Sequence, residues 1–214
     1  MRRRSFAQTL AAILLSVYAA TPALAAYPER PVRLIVPFAP GGGTDIVGRL
    51  VAERLSTALK QPFIVENKPG AGAMLGAELV AKSPADGYTL LMGTSAELTI
   101  GPNLSPGSLR YHPVDDFIPV ALIGISPNVL LAFPGFAPRN IAELTAYAKA
   151  HPQRVSFGSG GAGTGPHLSG ELLKHMGGIP MTHVPYRGSG PALADLMSGQ
   201  TQLMISTMAP ALPL

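Results

Sequence analysis

The chain has 214 residues, 47% of them hydrophobic and 13% charged, with 16 Lys and Arg against 12 Asp and Glu. This composition supplies a core for one or two domains and excludes a disordered, solvating chain. The lack of Cys excludes disulfide frameworks, thiol nucleophiles, Cys-ligated zinc and iron–sulfur clusters.

Arg2, Arg3 and Arg4 sit in an acid-free leader, and the other 13 basic residues nearly balance the 12 acidic ones. The folded part therefore has no basic excess, and no nucleic-acid partner is expected. Residues 1–26 read as a cleavable signal peptide. The arginines are followed by an apolar stretch through Ile13, Leu14, Leu15 and Val17, a Thr21-Pro22 break, and the small-x-small site Ala23-Leu24-Ala25. The stretch falls short of the roughly 20 residues a membrane span needs. Arg3-Arg4-Ser5-Phe6 partly resembles a twin-arginine signal, so the export route stays open. An exported, soluble product is expected.

From Tyr27 onward, short apolar runs alternate with helical patterns. Val32–Val36 reads as a strand, followed by a helix carrying Ile46, Val47, Leu50, Val51, Leu55 and Leu59 at helical spacing. Residues 63–65 are a second strand, Met74–Ala81 a helix and residues 88–92 a third strand. Three successive βα units argue for a parallel sheet covered by helices. Residues 93–117 read as a long crossover, and 117–125 and 129–133 as strands. Then come a helix at Ile141–Ala150, a strand at 155–157, a helix at 167–176, a strand at 181–184, a helix at 191–198 and a strand at 202–205. The fold class is α/β, with lobes at 27–122 and 123–214. After the last strand, no further element is expected before Leu214. Met197, Met204 and Met208 are expected to pack in a core or between lobes.

Two Gly-rich loops join a strand to a helix. In the first, Phe38 precedes Gly41, Gly42, Gly43, Thr44 and Asp45. Glycines let backbone approach a ligand, and the free N–H groups of a helix's first turn favour an anion. No Lys follows them, so a triphosphate loop is not expected. Asp45 is either a first-turn acid complementing the dipole or a direct acceptor for a ligand. The second loop holds Ser159, Gly160, Gly163, Thr164 and His167. Gly158, Gly160 and Gly163 match the dinucleotide fingerprint, but residues 178–190 contain no acid to hold a ribose, so no nucleotide cofactor is expected. The loop reads as a second anion cradle, or as a tight turn shaped for packing. His167 either caps locally or faces a ligand. Ser95, after the third strand, lies where open α/β sheets bind ligands. Arg187 would pair a carboxylate or lie solvated at the surface. No metal-ligand spacing and no nucleophile elbow occur.

Several ordered motifs carry a resemblance. They are residues 27–45, Glu66-Asn67-Lys68-Pro69-Gly70-Ala71-Gly72, Ser83-Pro84-Ala85-Asp86-Gly87-Tyr88, Pro113-Val114-Asp115-Asp116-Phe117, the 158–167 loop and Val184-Pro185-Tyr186-Arg187-Gly188. Together they resemble the substrate-binding proteins of the tripartite tricarboxylate transporters, the Bug family of periplasmic receptors. The resemblance implies a two-lobed periplasmic-binding-protein fold (type 2) with mainly parallel sheets. It also implies a small carboxylate held between the loops at 41–45 and 159–167, no cofactor, no metal and no catalytic residue. The partners implied are the membrane components of such a transporter, served by a monomeric periplasmic receptor. Family members return to the first lobe after the strand matching 202–205, so the resemblance leads to the expectation of a receptor whose return segment is missing after Leu214. Two other readings compete with the receptor. One is an exported α/β hydrolase using Ser95 or Ser159 with His167, and the other is a truncated, non-functional remnant of a receptor.

Overall fold

The computed structural model describes residues 27–107 and 109–214. The signal peptide expected at 1–26 lies outside them. Two separate sheets organise the chain. The first is β2-β1-β3, all parallel, built from β1 (Val32–Val36), β2 (Phe63–Asn67) and β3 (Thr89–Leu91). β1 lies in the middle, and Val32, Ile35 and Val36 are fully buried. A parallel strand covered on both faces reads as a continuous apolar run rather than an alternating one, which is how Val32–Val36 reads. Helix α1 (Gly43–Leu59) covers the sheet through small residues, Gly48 and Ala52. It ends at Lys60, which takes the left-handed conformation with φ 56°. Helix α2 (Met74–Ala81) follows a tight turn at residues 70–73.

The second sheet is β4-β7-β5-β6, made of β4 (Asn128–Ala132), β5 (Ser156–Ser159), β6 (Thr182–Pro185) and β7 (Leu203–Thr207). β5, β6 and β7 run parallel, and β4 pairs antiparallel with β7. The short helix α3 (Gly101–Leu104) precedes this sheet. Within it lie α4 (Ile141–Ala150), α5 (Gly165–Gly177) and α6 (Ser189–Met197). One face buries Leu144, Ala148, Val155, Phe157, Ile179 and Leu203, and the other buries Ala192, Leu196 and Met204. Gly170 on α5 sits directly over Phe157, where a Cβ would stand 2.1 Å from the ring.

The elements follow the sequence reading within a few residues, with four corrections. The strand expected over 117–125 is absent. Residues 118–127 are irregular and exposed, with Ile118 86% and Leu122 82% accessible. A strand exists only against a hydrogen-bonded neighbour, and no described segment pairs with this one. The crossover at 93–117 carries a π-helical turn (Ala96–Ile100) and α3, and the residues after β7 form a 3-10 turn (Ala209–Ala211). Met197 is 47% exposed on α6 rather than core, while Met204 is fully buried.

Candidate ligand-binding site

The first loop is held from below by a charged network. Asp45, only 3% exposed, accepts from Gly41 N–H and Arg49 Nε at Oδ2, each at 3.0 Å. Its Oδ1 accepts from Arg49 at 3.0 Å and from Asn67 Nδ2 at 2.8 Å. Asn67 also donates to the Phe38 carbonyl at 3.0 Å. Burial pushes the Asp45 carboxyl up, but the hydrogen bonds from Arg49, Asn67 and Gly41 outweigh it and hold it below the usual carboxylate range. Of the two roles open to Asp45 in the sequence, both oxygens are engaged within the chain. The sequence does not single out Arg49 or Asn67 as site residues, and the pairing of Asn67 with Asp45 has no local sequence signal. Phe38 is buried with Val36, Ala73 and Ala96 and anchors the same loop.

Above this network, two helix N-termini abut. α1 has Gly42 as its N-cap and α6 has Gly188, and neither cap supplies a side-chain hydrogen bond. A Cβ on Gly42 would stand 3.3 Å from the Ser189 nitrogen, and one on Gly190 would stand 2.2 Å from the Pro40 carbonyl oxygen. Ala39 N–H donates to the Arg187 carbonyl at 2.8 Å across the same seam. Arg187 thus contributes its backbone here, while the residue itself is exposed. Two uncapped N-termini face to face present positive dipole ends and unsatisfied N–H donors to one another, a combination relieved by an anion. Gly43, at the start of α1, meets the end of β7, where Thr207 Oγ1 would lie 2.2 Å from a Cβ placed on the glycine.

The second loop closes the arrangement from the other side. Gly160 approaches Ser189, and Gly72 lies so near the Ala162 carbonyl oxygen that a Cβ would stand 2.5 Å away. Gly163 holds a positive φ of 78°, which favours glycine. Thr164 is the N-cap of α5, accepting from His167 N–H at 3.3 Å and donating to the Gly161 carbonyl at 2.7 Å. His167 Nδ1 accepts from Gly163 N–H at 3.1 Å, so its ring caps the loop locally. Ser159 is fully buried, and its Oγ lies 2.7 Å from His183 Nε2 and accepts from Gly161 N–H at 3.2 Å. The His183 and His167 rings stack at 4.1 Å. Burial, then the neighbouring His167, pulls the His183 pKa down to about 4, so it is neutral at physiological pH.

Ser159 therefore pairs with His183 rather than His167, and its hydroxyl is closed to solvent. Ser95 is exposed at the start of the π-helical turn, beside Thr94 and the fully buried Glu97. The Glu97 carboxyl accepts from Thr94 N–H at 2.5 Å and from Thr94 Oγ1 at 2.7 Å, and Thr94 Oγ1 accepts in turn from Ala96 N–H at 3.2 Å. Burial is the dominant effect on Glu97 and raises its pKa to about 7. The Thr94-x-x-Glu97 spacing was the signal available for this pair. Among the described residues no group of three His, Asp or Glu is placed to hold a metal.

Known proteins share this architecture. The chain is 40% identical to protein BugT of Bordetella pertussis over 202 residues, covering 91% of this chain and 62% of that protein. The solved structure of MatC from Rhodopseudomonas palustris with bound malate is 37% identical, with a TM-score of 0.81 over 87% of this chain and 63% of that one. R. palustris Rpa4515 with adipate is 39% identical, with a TM-score of 0.84 over 88% of this chain and 62% of that one. The chain thus spans about 62% of the length of these relatives. The family described as the tripartite tricarboxylate transporter family receptor matches residues 47–214. This chain belongs to that family.

Proposed function

We propose that the protein is a periplasmic solute receptor that captures a small carboxylate and delivers it to the membrane components of a tripartite tricarboxylate transporter. The observation that carries this reading is the head-to-head placement of the uncapped N-termini of α1 and α6. The donors there are backbone N–H groups, which suit a carboxylate and supply no nucleophile or base. In this reading the ligand lies between a lobe of residues 27–122 and a lobe of residues 123–214. Gly41, Gly42, Gly43 and Thr44 contribute from the first lobe. Gly160, Gly163 and the start of α6 contribute from the second. Phe38, Asp45, Ser159, Thr164 and His167 shape the loops from behind, and Ser95 is a contact at the rim. Family membership and the malate and adipate bound by related structures support the ligand class. The leader at 1–26 would direct export, and the receptor would work as a monomer without catalysis.

The test is a thermal melt with and without malate, adipate and related di- and tricarboxylates. A ligand at about 100 times its Kd stabilises by about 2.7 kcal/mol, a rise on the order of 5–10 °C. A cooperative transition that rises with one acid supports the reading, and a transition unmoved by every acid at millimolar concentration overturns it.

A further inference from the structure

Among the described residues, three buried side-chain oxygens have no hydrogen-bond partner: Thr201 Oγ1, Ser206 Oγ and Thr207 Oγ1. Buried hydroxyls are almost always satisfied, so an orphan calls for a partner that is not part of the chain. Thr207 is the one whose surroundings name that partner. It closes β7 at the carboxyl end, where β7 runs parallel to β5 and the 159–164 loop departs. Its Oγ1 is pressed against Gly43, the first residue of α1, at a distance no side chain on that residue would allow. The first intrahelical bond of α1 runs from Ile46 N–H to the Gly42 carbonyl, so the N–H groups of Gly43, Thr44 and Asp45 have no helical acceptor. An unpaired hydroxyl and a set of unpaired N–H donors thus lie side by side, and both ask for the same thing, an oxygen that accepts. The neighbouring Asp45 carboxylate does not provide it, since Arg49, Asn67 and Gly41 take both of its oxygens.

We infer that Thr207 is a ligand-contacting residue, whose hydroxyl donates to the same carboxylate that accepts from the first turn of α1. This rests on the receptor reading above and adds to it a side-chain contact from the end of the second sheet. The last turn of the chain is built to present it. Met208 N–H donates to the Pro127 carbonyl and to Ser126 Oγ, each at 3.2 Å, and Pro210 packs beside Gly43.

The experiment is calorimetric titration of malate and adipate into the wild-type chain, Thr207→Val and Thr207→Ser, with a ligand-free melt of each. Val keeps the shape and removes the hydroxyl, and Ser keeps the hydroxyl. The expected result is an affinity loss of about tenfold or more in Thr207→Val for whichever acid the wild type binds, with affinity largely kept in Thr207→Ser. The ligand-free melting temperature of Thr207→Val should be equal to or above that of the wild type, because an unsatisfied buried hydroxyl has been removed. Unchanged affinity in Thr207→Val, equal loss in both variants, or a lowered ligand-free melting temperature in Thr207→Val would each overturn the inference alone. A folded wild-type chain that binds neither these acids nor any other carboxylate overturns the receptor reading itself, and the inference with it.

Discussion

Asp45 is a buried carboxylate beside a site that favours anions, and Arg49 resolves that conflict. The forked guanidinium neutralises the charge from the helix surface, while Asn67 and Gly41 use the remaining acceptor capacity to fix the loop. Replacing Asp45 by Asn removes the charge and leaves Arg49, whose side chain is half exposed, to be screened by water. The expected cost is about 1–2 kcal/mol, read as a lower urea midpoint at unchanged slope. Ligand affinity should fall as well, because an amide in place of the carboxylate turns an N–H toward the donors of Gly41, Arg49 and Asn67 and loosens the Gly41 loop. The sign with pH follows from the direction of the shift. A carboxyl held below its ordinary 3.8 stabilises the fold above that pH, and the contribution is lost as pH falls further. The difference between wild type and Asp45→Asn should therefore shrink under acid.

At the scale of elements, the two sheets meet through glycine backbone. Gly190 lies in the first turn of α6, where Ala would ordinarily be the better helix former, yet its missing Cβ lets the helix reach Pro40. Gly190→Ala should leave each sheet folded and wedge the seam open, so that the melting temperature changes little while stabilisation by ligand is lost. Gly170→Ala is the contrasting case. Its Cβ falls on the buried Phe157 ring inside one sheet, and overpacking there should cost about 1–3 kcal/mol with or without ligand. Melts of both variants with and without the bound acid separate the two outcomes. This division also marks what the sequence made legible. Val32–Val36 and Met74–Ala81 were readable because local pattern decides them. So were the two Gly-rich loops, because strand, glycine run and helix stand consecutively. The opposition of α1 and α6 was not readable, since it joins residues roughly 150 apart and depends on how two sheets are placed. The strand expected at 117–125 failed for a related reason. Its apolar residues carry the propensity, but pairing is a property of a neighbour, and none is present among the described residues.

Across the whole molecule, two titratable groups of opposite kind, the buried Glu97 and the half-buried His183, set how stability responds to pH. Glu97 in the first half of the chain has its pKa raised from 4.5 to about 7 by burial. The unfolded chain releases that proton more readily, so the fold is favoured below pH 4.5 and loses stability as pH rises through 7. For a fully buried carboxyl the loss amounts to about 3 kcal/mol. His183 in the second half has its pKa lowered from 6.5 to about 4 by burial and by His167. Glu171 on α5 opposes that shift and Lys174 on the same helix adds to it. The unfolded chain takes up this proton more readily, so stability is present above 6.5 and lost as pH falls toward 4. Between about 4.5 and 6.5 the two slopes oppose one another, and the wild-type melting temperature should be nearly flat with respect to these groups. Glu97→Gln removes one slope. Gln resembles the protonated acid in size and neutrality, so the variant should match the wild type below pH 4.5 and exceed it above pH 7, by on the order of 5–10 °C. With the Glu97 contribution gone, the His183 slope should emerge as a melting temperature that climbs from pH 4.5 to 6.5. A Glu97→Gln profile parallel to the wild type from pH 5 to 8 would show that Glu97 is ionised in the fold at all these values. The Thr94 hydrogen bonds, rather than burial, would then govern that corner of the molecule.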